Sequence, residues 1–149
     1  METVSPGGAM HSSWKPVSGG VTAPQGFRAA GLAVGLKPSG KPDLALLLAP
    51  EGAVCGGAFT TSVVRAACVD LCSERLESSG GRVRAALINS GQANACTGDR
   101  GLIDSQRATA ALADRLGLDV EEVLICSTGV IGVPTVSYTH LTLPTKQMV

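Results

Sequence analysis

Two short apolar runs in this chain each empty directly into a glycine-containing loop with small hydroxyl or amide residues, and that arrangement limits the available folds more than any other feature. Residues 83–88 (VRAALI) lead into 89–98 (NSGQANACTG), and residues 123–126 (VLIC) lead into 127–132 (STGVIG). Each continuous apolar run reads as a buried strand. A strand that ends in a polar loop is where α/β proteins place their sites. Between the two lies a segment, 103–116, with apolar or alanine positions at Ile103, Ala110, Ala111, Leu112 and Leu116. It reads as a helix stopped by Gly117 in a left-handed C-cap. An α/β architecture follows.

The remaining chain fills in around these elements. Residues 27–36 and 43–49 (DLALLLA) read as two strands joined by a turn through Lys37-Pro38-Ser39-Gly40-Lys41-Pro42. Residues 55–60 and 63–69 read as a second strand pair, with Asp70 capping a short helix over 71–77. Asp119, followed three residues later by Glu122, has the form of a capping box and predicts one turn before the strand at 123. Residues 1–20, rich in Gly, Ser and Pro, read as a flexible lead-in without a face to bury.

Charge and composition close several functional classes. Twelve basic against twelve acidic residues leave a formal net charge of zero. Such a chain has no basic field to hold a nucleic-acid backbone. No apolar run approaches the roughly 18 residues of a membrane span. The start lacks the layout of a secretory signal, so a cytoplasmic location is the expectation. Five cysteines, an odd number scattered through apolar segments, are expected to be reduced thiols packed as small hydrophobes. Nineteen glycines and only 3% aromatic residues predict close packing of small side chains.

Two features imitate chemistry. Residues 35–42 (GLKPSGKP) fall one residue short of a phosphate-binding loop, because Pro42 stands where a hydroxyl should reach magnesium. Proline also disfavours helical geometry at Lys41, so an ordinary hairpin turn is the better reading. Cys68 and Cys72 could share a helical face, but no second cluster completes a metal shell. The two post-strand loops differ in kind. Either they are structural turns, or they aim backbone N–H groups at a developing negative charge.

The segments VTAPQGFRAAG (21–31), SGKPDLAL (39–46), GAFTTSVVRAA (57–67), NSGQANACTG (89–98) and VLICSTGVIGVP (123–134) occur in an order and spacing that resembles the bifunctional glutamate N-acetyltransferase/ornithine acetyltransferase family of arginine biosynthesis. The resemblance covers residues 21–134 and leaves the lead-in unmatched. It implies an incomplete layered α/β sandwich of the self-cleaving N-terminal-nucleophile type. In that family a precursor cuts itself before a threonine, and the two chains stay together as a heterotetramer of two N-terminal and two C-terminal chains. The new N-terminal threonine takes acetyl from N-acetylornithine and passes it to glutamate in a ping-pong cycle. No cofactor is implied, although some members accept acetyl-CoA as donor.

The family's oxyanion-hole Thr-Gly pair carries over to Thr128 and Gly129. Asn94, Thr97 and Gly98, in the other family loop, are expected near the same cavity without an assigned step. Thr60 and Thr61 read as strand residues. The nucleophile's Ala-Thr-Met-Leu-like segment is not found in these 149 residues, so the segment alone is expected to be inactive. Residues 136–145 (VSYTHLTLPT) resemble a sequencing-library adapter translated in frame, which sets 135–149, with Tyr138 and His140, apart from the fold. Residues 21–134 are then expected to expose unpartnered apolar faces and strand edges. Two other readings compete: a related self-cleaving amidohydrolase or aminopeptidase, and a non-catalytic small-molecule binding module.

Overall fold

The apolar run at 44–48 becomes the strand Leu44–Leu48 (β2), which pairs antiparallel with Arg28–Leu32 (β1) across the turn at 37–42. These assignments come from a computed structural model that describes residues 15–133. His11, Trp14 and the segment 135–149 lie outside the described residues. The P-loop-like sequence is a turn, as its prolines require. Asp43 organises it: the buried carboxylate accepts the N–H of Val34 at 2.7 Å and of Lys37 at 2.8 Å. Burial alone would push the Asp43 carboxyl up. The backbone N–H groups of Val34, Lys37 and Leu36, with the Lys37 charge, outweigh burial and hold it below the ordinary carboxylate range.

After β2 the structure departs from the sequence reading. Residues 55–66 form no strand pair; there is only an isolated bridge between Val54 and Arg82. The helix expected at 71–77 instead spans Ala67–Ser78 (α1), absorbing Val69 from the supposed strand. Its buried residues, Cys68, Leu71, Cys72 and Arg75, recur at i, i+3, i+4 and i+7 and form one face. Tertiary packing of that face outweighs the local β preference of Val69, while Val63 and Val64 lie exposed before the helix and outside any strand.

Ala85–Gln92 (β3) pairs antiparallel with β2, and Val123–Val130 (β4) pairs parallel with β3, giving the order β1-β2-β3-β4. A parallel pair needs a crossover. The helix Gly98–Leu116 (α2) supplies it, ending at Gly117 with φ +64° as the cap residue predicts. The Asp119–Glu122 capping box also forms, around the 3-10 turn Val120–Glu122.

Both helices cover one face of the sheet. Leu44, Leu46, Ala85, Leu87, Val123 and Ile125 point into the core with Cys68, Leu71, Ala108 and Leu112. Burying each large aliphatic side chain here stabilises the fold by about 1.5–3 kcal/mol. The buried face of α2 overlaps the marked apolar residues only in part: Leu112 is buried and Ala111 and Leu116 are half-buried, but Ile103 and Ala110 are exposed, and Ser105, Ala108, Thr109 and Ala113 also face inward. Small residues suit a helix pressed against α1. The buried hydroxyls are satisfied within the helix, Ser105 donating to Gly101 O at 2.8 Å and Thr109 to Ser105 O at 2.9 Å.

The opposite face has no covering layer among the described residues. Ala45, Leu47, Ala86 and Leu124 are half-buried there, and Ile88 and Cys126 are exposed. Phe27, Leu47, Val54, Ala86 and Leu124 help to line an apolar hollow of about 160 Å³.

Candidate active site at the ends of two parallel strands

Both post-strand loops begin inside the sheet. β3 and β4 continue their ladder through Asn89 opposite Ser127, Ser90 opposite Thr128, Gly91 opposite Gly129 and Gln92 opposite Val130. The sequence reading ended the strands at 88 and 126. The ladder persists because small residues let the two backbones run together where apolar packing has stopped. Gly91 has φ +123° and Gly129 has φ +133°, a region that side chains disfavour. A Cβ on Gly129 would run into the carbonyl carbon of Gly91, so the glycine is required twice over.

Asn89, 1% exposed, grips this junction. Its Nδ2 donates to Gln92 O at 2.9 Å, and its Oδ1 accepts the Ser127 hydroxyl. The turn at 36–37 packs over Gly91, where an added Cβ would lie 2.9 Å from Leu36 O. Ser90 N–H donates to Asp43 O at 2.8 Å, tying the junction to the buried carboxylate's turn. Thr128 and Gly129 therefore sit at the end of a braced strand, and both are exposed. A hydroxyl and a backbone N–H held in that way can meet a developing oxyanion with little reorganisation.

The second loop is a different structure. Asn94, 2% exposed, accepts the N–H of Cys68 at Oδ1 (2.8 Å) and donates to Gly101 O through Nδ2 (2.9 Å). Its carbonyl also accepts the Ala67 N–H at 3.2 Å. One asparagine thus caps α1 from outside the helix and fastens it to the first turn of α2, satisfying donors that helix starts leave free. Thr97 is the N-cap of α2 but makes no side-chain capping bond, and its buried Oγ1 lacks a hydrogen-bond partner.

Asn94, Thr97 and Gly98 line a polar cleft of about 580 Å³, with Arg65 and Asp70 paired at 2.6 Å on its wall. Thr128 and Gly129 are not among its lining residues. The two loops are neighbours through their backbones, Ala93 N–H donating to Val130 O at 2.8 Å and Gly132 N–H to Ala95 O at 3.0 Å. Among the described residues no three His, Cys, Asp or Glu side chains are grouped to hold a metal ion, and no helix is long and apolar enough to cross a membrane. Thr60 and Thr61 are exposed and outside any strand. Sequence reasoning passed over Asn89, Ser127 and Asp43. An amide at the end of a buried strand and a carboxylate at the start of one were the available signals.

With this geometry in view, the chain matches the ArgJ family model over residues 28–142. It is 78% identical over 134 residues to the arginine biosynthesis bifunctional protein ArgJ of Parasynechococcus marenigrum, covering 90% of this chain and 33% of the relative. That match is longer than 21–134 and takes in part of the lead-in, which the resemblance had left out. The ArgJ of Prochlorococcus marinus strain MIT 9313 is 72% identical over 126 residues, 85% of this chain and 30% of the relative. The chain spans about a third of the length of these relatives. Among solved structures, ArgJ of Bacillus halodurans superposes with a TM-score of 0.77 at 34% identity, over 83% of this chain and 63% of that one. The ornithine acetyltransferase of Mycobacterium tuberculosis, solved with ornithine, gives 0.71 at 43% identity, over 81% and 64%. A parallel strand pair braced at its glycine ends, the layered α/β arrangement and these likenesses agree, and the chain belongs to the ArgJ family.

Proposed function

We propose that this chain supplies the oxyanion-stabilising part of an acetyltransferase of arginine biosynthesis, which moves acetyl from N-acetylornithine to glutamate. The observation that carries it is the exposed Thr128–Gly129 pair at a strand end whose backbone geometry only glycine fits. The nucleophile is a threonine in a C-terminal chain cut from the same precursor, in a cytoplasmic heterotetramer of two chains of each kind. In the first half-reaction its hydroxyl oxygen bonds to the acetyl carbonyl carbon. The hydroxyl proton passes by way of the threonine's own amine to the departing nitrogen, the C–N bond breaks, and ornithine leaves an acetyl-threonine ester. The glutamate amine then attacks that ester and restores the hydroxyl. In both halves the carbonyl oxygen becomes negative, and Thr128 Oγ1 and Gly129 N–H donate to it.

Family membership favours this over the amidohydrolase and binding-module readings, because the ArgJ relatives are named for arginine biosynthesis and one solved neighbour is an ornithine acetyltransferase. The test uses the full-length protein that carries this segment. Acetyl transfer from N-acetylornithine to glutamate is expected, and Thr128→Ala should lower kcat by about 100-fold while the thermal midpoint holds. Peptide cleavage without acetyl transfer would place the protein with the amidohydrolases. Saturable binding of N-acetylornithine without turnover would make it a binding module.

A further inference from the structure

We infer that Ser127 and Asn89 form a positioning pair for the oxyanion hole, holding the Thr128–Gly129 segment at the angle the reaction needs. This deepens the preceding proposal and rests on it. Ser127 is the residue immediately before Thr128, and its hydroxyl donates to Asn89 Oδ1 across the β3–β4 ladder. Asn89 cannot yield in response: it is 1% exposed and its Nδ2 is committed to Gln92 O at 2.9 Å. Its backbone lies opposite Leu44 of β2 on one side and Ser127 on the other, so the amide is fixed from two strands.

Beyond this pair the ladder loses side-chain support, because the next inward-facing positions are Gly91 and Gly129. Two glycines opposite each other give a close backbone approach but no steric stop against rotation of the strand end. The serine–asparagine bond is the last side-chain link between the strands before the reacting groups. A shift of well under 1 Å in a donor is enough to weaken its bond to a transition state. The pair touches no reacting atom, and its effect passes through Thr128 and Gly129.

The test is a double-mutant cycle in the full-length protein, read as kcat and KM for acetyl transfer from N-acetylornithine. Ser127→Ala should lower kcat about tenfold with KM little changed, and Ser127→Thr, which restores a hydroxyl, should recover most of the rate. Ser127→Ala added to Thr128→Ala should cost clearly less than it does alone, because the share of its effect that passes through the Thr128 hydroxyl is already lost and only the Gly129 N–H is left to misplace. If Ser127→Ala keeps the parent kcat, or if its loss multiplies in full with that of Thr128→Ala, the positioning role is overturned while the oxyanion hole stands. If Thr128→Ala itself loses no rate, the oxyanion reading falls and this pair falls with it. Should Ser127→Ala fail to give a folded protein, Ser127→Cys replaces it. An intermediate kcat from the weaker thiol donor supports the pair, and a parent-like kcat refutes it.

Discussion

The two loops that follow the parallel strands look alike as sequence, each setting small hydroxyl or amide residues beside glycines, yet they are built in opposite ways. In 89–98 the decisive side chain, Asn94, is buried and spends both ends of its amide on helix termini. In 127–132 the decisive pair, Thr128–Gly129, is exposed and braced from behind. Composition does not separate a loop whose polar side chain is buried in the fold from one whose polar groups stay exposed. The partners of the amide and the burial of the hydroxyl do.

This contrast can be broken by experiment on the full-length protein. The largest effect is expected from Gly129→Ala, which puts a Cβ into the Gly91 backbone at an unfavourable φ. Stability should fall by about 3 kcal/mol or more and acetyl transfer should collapse, read by urea unfolding and by assay. Asn94→Ala should cost about 1–3 kcal/mol, because it strands the buried Cys68 N–H without a partner and removes the amide's bond to the Gly101 carbonyl, which keeps the Ser105 hydroxyl. The protein that remains folded should keep most of its kcat. An Asn94→Ala variant of parent stability and poor kcat would move Asn94 into the reacting site and erase the distinction.

A smaller effect sharpens the comparison on the supporting turn. The folded Asp43 carboxyl is held below its ordinary value, so its contribution is complete above the unfolded carboxylate range and is lost as pH falls through the folded value. Thermal midpoints taken from pH 6 down to pH 3 should therefore drop more steeply in the parent than in Asp43→Asn. Parallel curves would show that the carboxylate charge does not matter to the turn.

Much of the frame was legible. DLALLLA and VRAALI announce strands by continuous apolar character, and Gly117 and the Asp119–Glu122 box mark their helix boundaries by local chemistry. What failed was whatever depended on distant partners. The start of α1 is set by Asn94, 26 residues beyond Cys68, so residues 63–69 showed only their β-branched character. The buried face of α2 is legible only at Leu112, because the rest of it is built from small and polar residues that pack closely. At the site, Thr128 and Gly129 came from family resemblance. The bond from Ser127 to Asn89 spans 38 positions and no local pattern encodes it.

The bare face of the sheet bears on the segment by itself. Residues 21–134 alone should bind a hydrophobic dye and melt without a sharp transition, since Ile88 and the apolar hollow beside Leu124 have no cover among the described residues. A cooperative melt with little dye binding would show that one helical layer is sufficient.

Cys72 stands in for a peptide group. Its thiol donates to Ile125 O at 3.2 Å and accepts the Ile125 N–H at 3.4 Å, bridging α1 to β4, and burial pushes both it and Cys68 away from the reactive thiolate. Cys96, exposed beside the polar cleft, has no such shelter. The chain thus carries its own clock: a thiol reagent should mark the exposed Cys96 and Cys126 first, and the delay before the buried Cys68 and Cys72 are marked measures how often α1 lifts from the sheet.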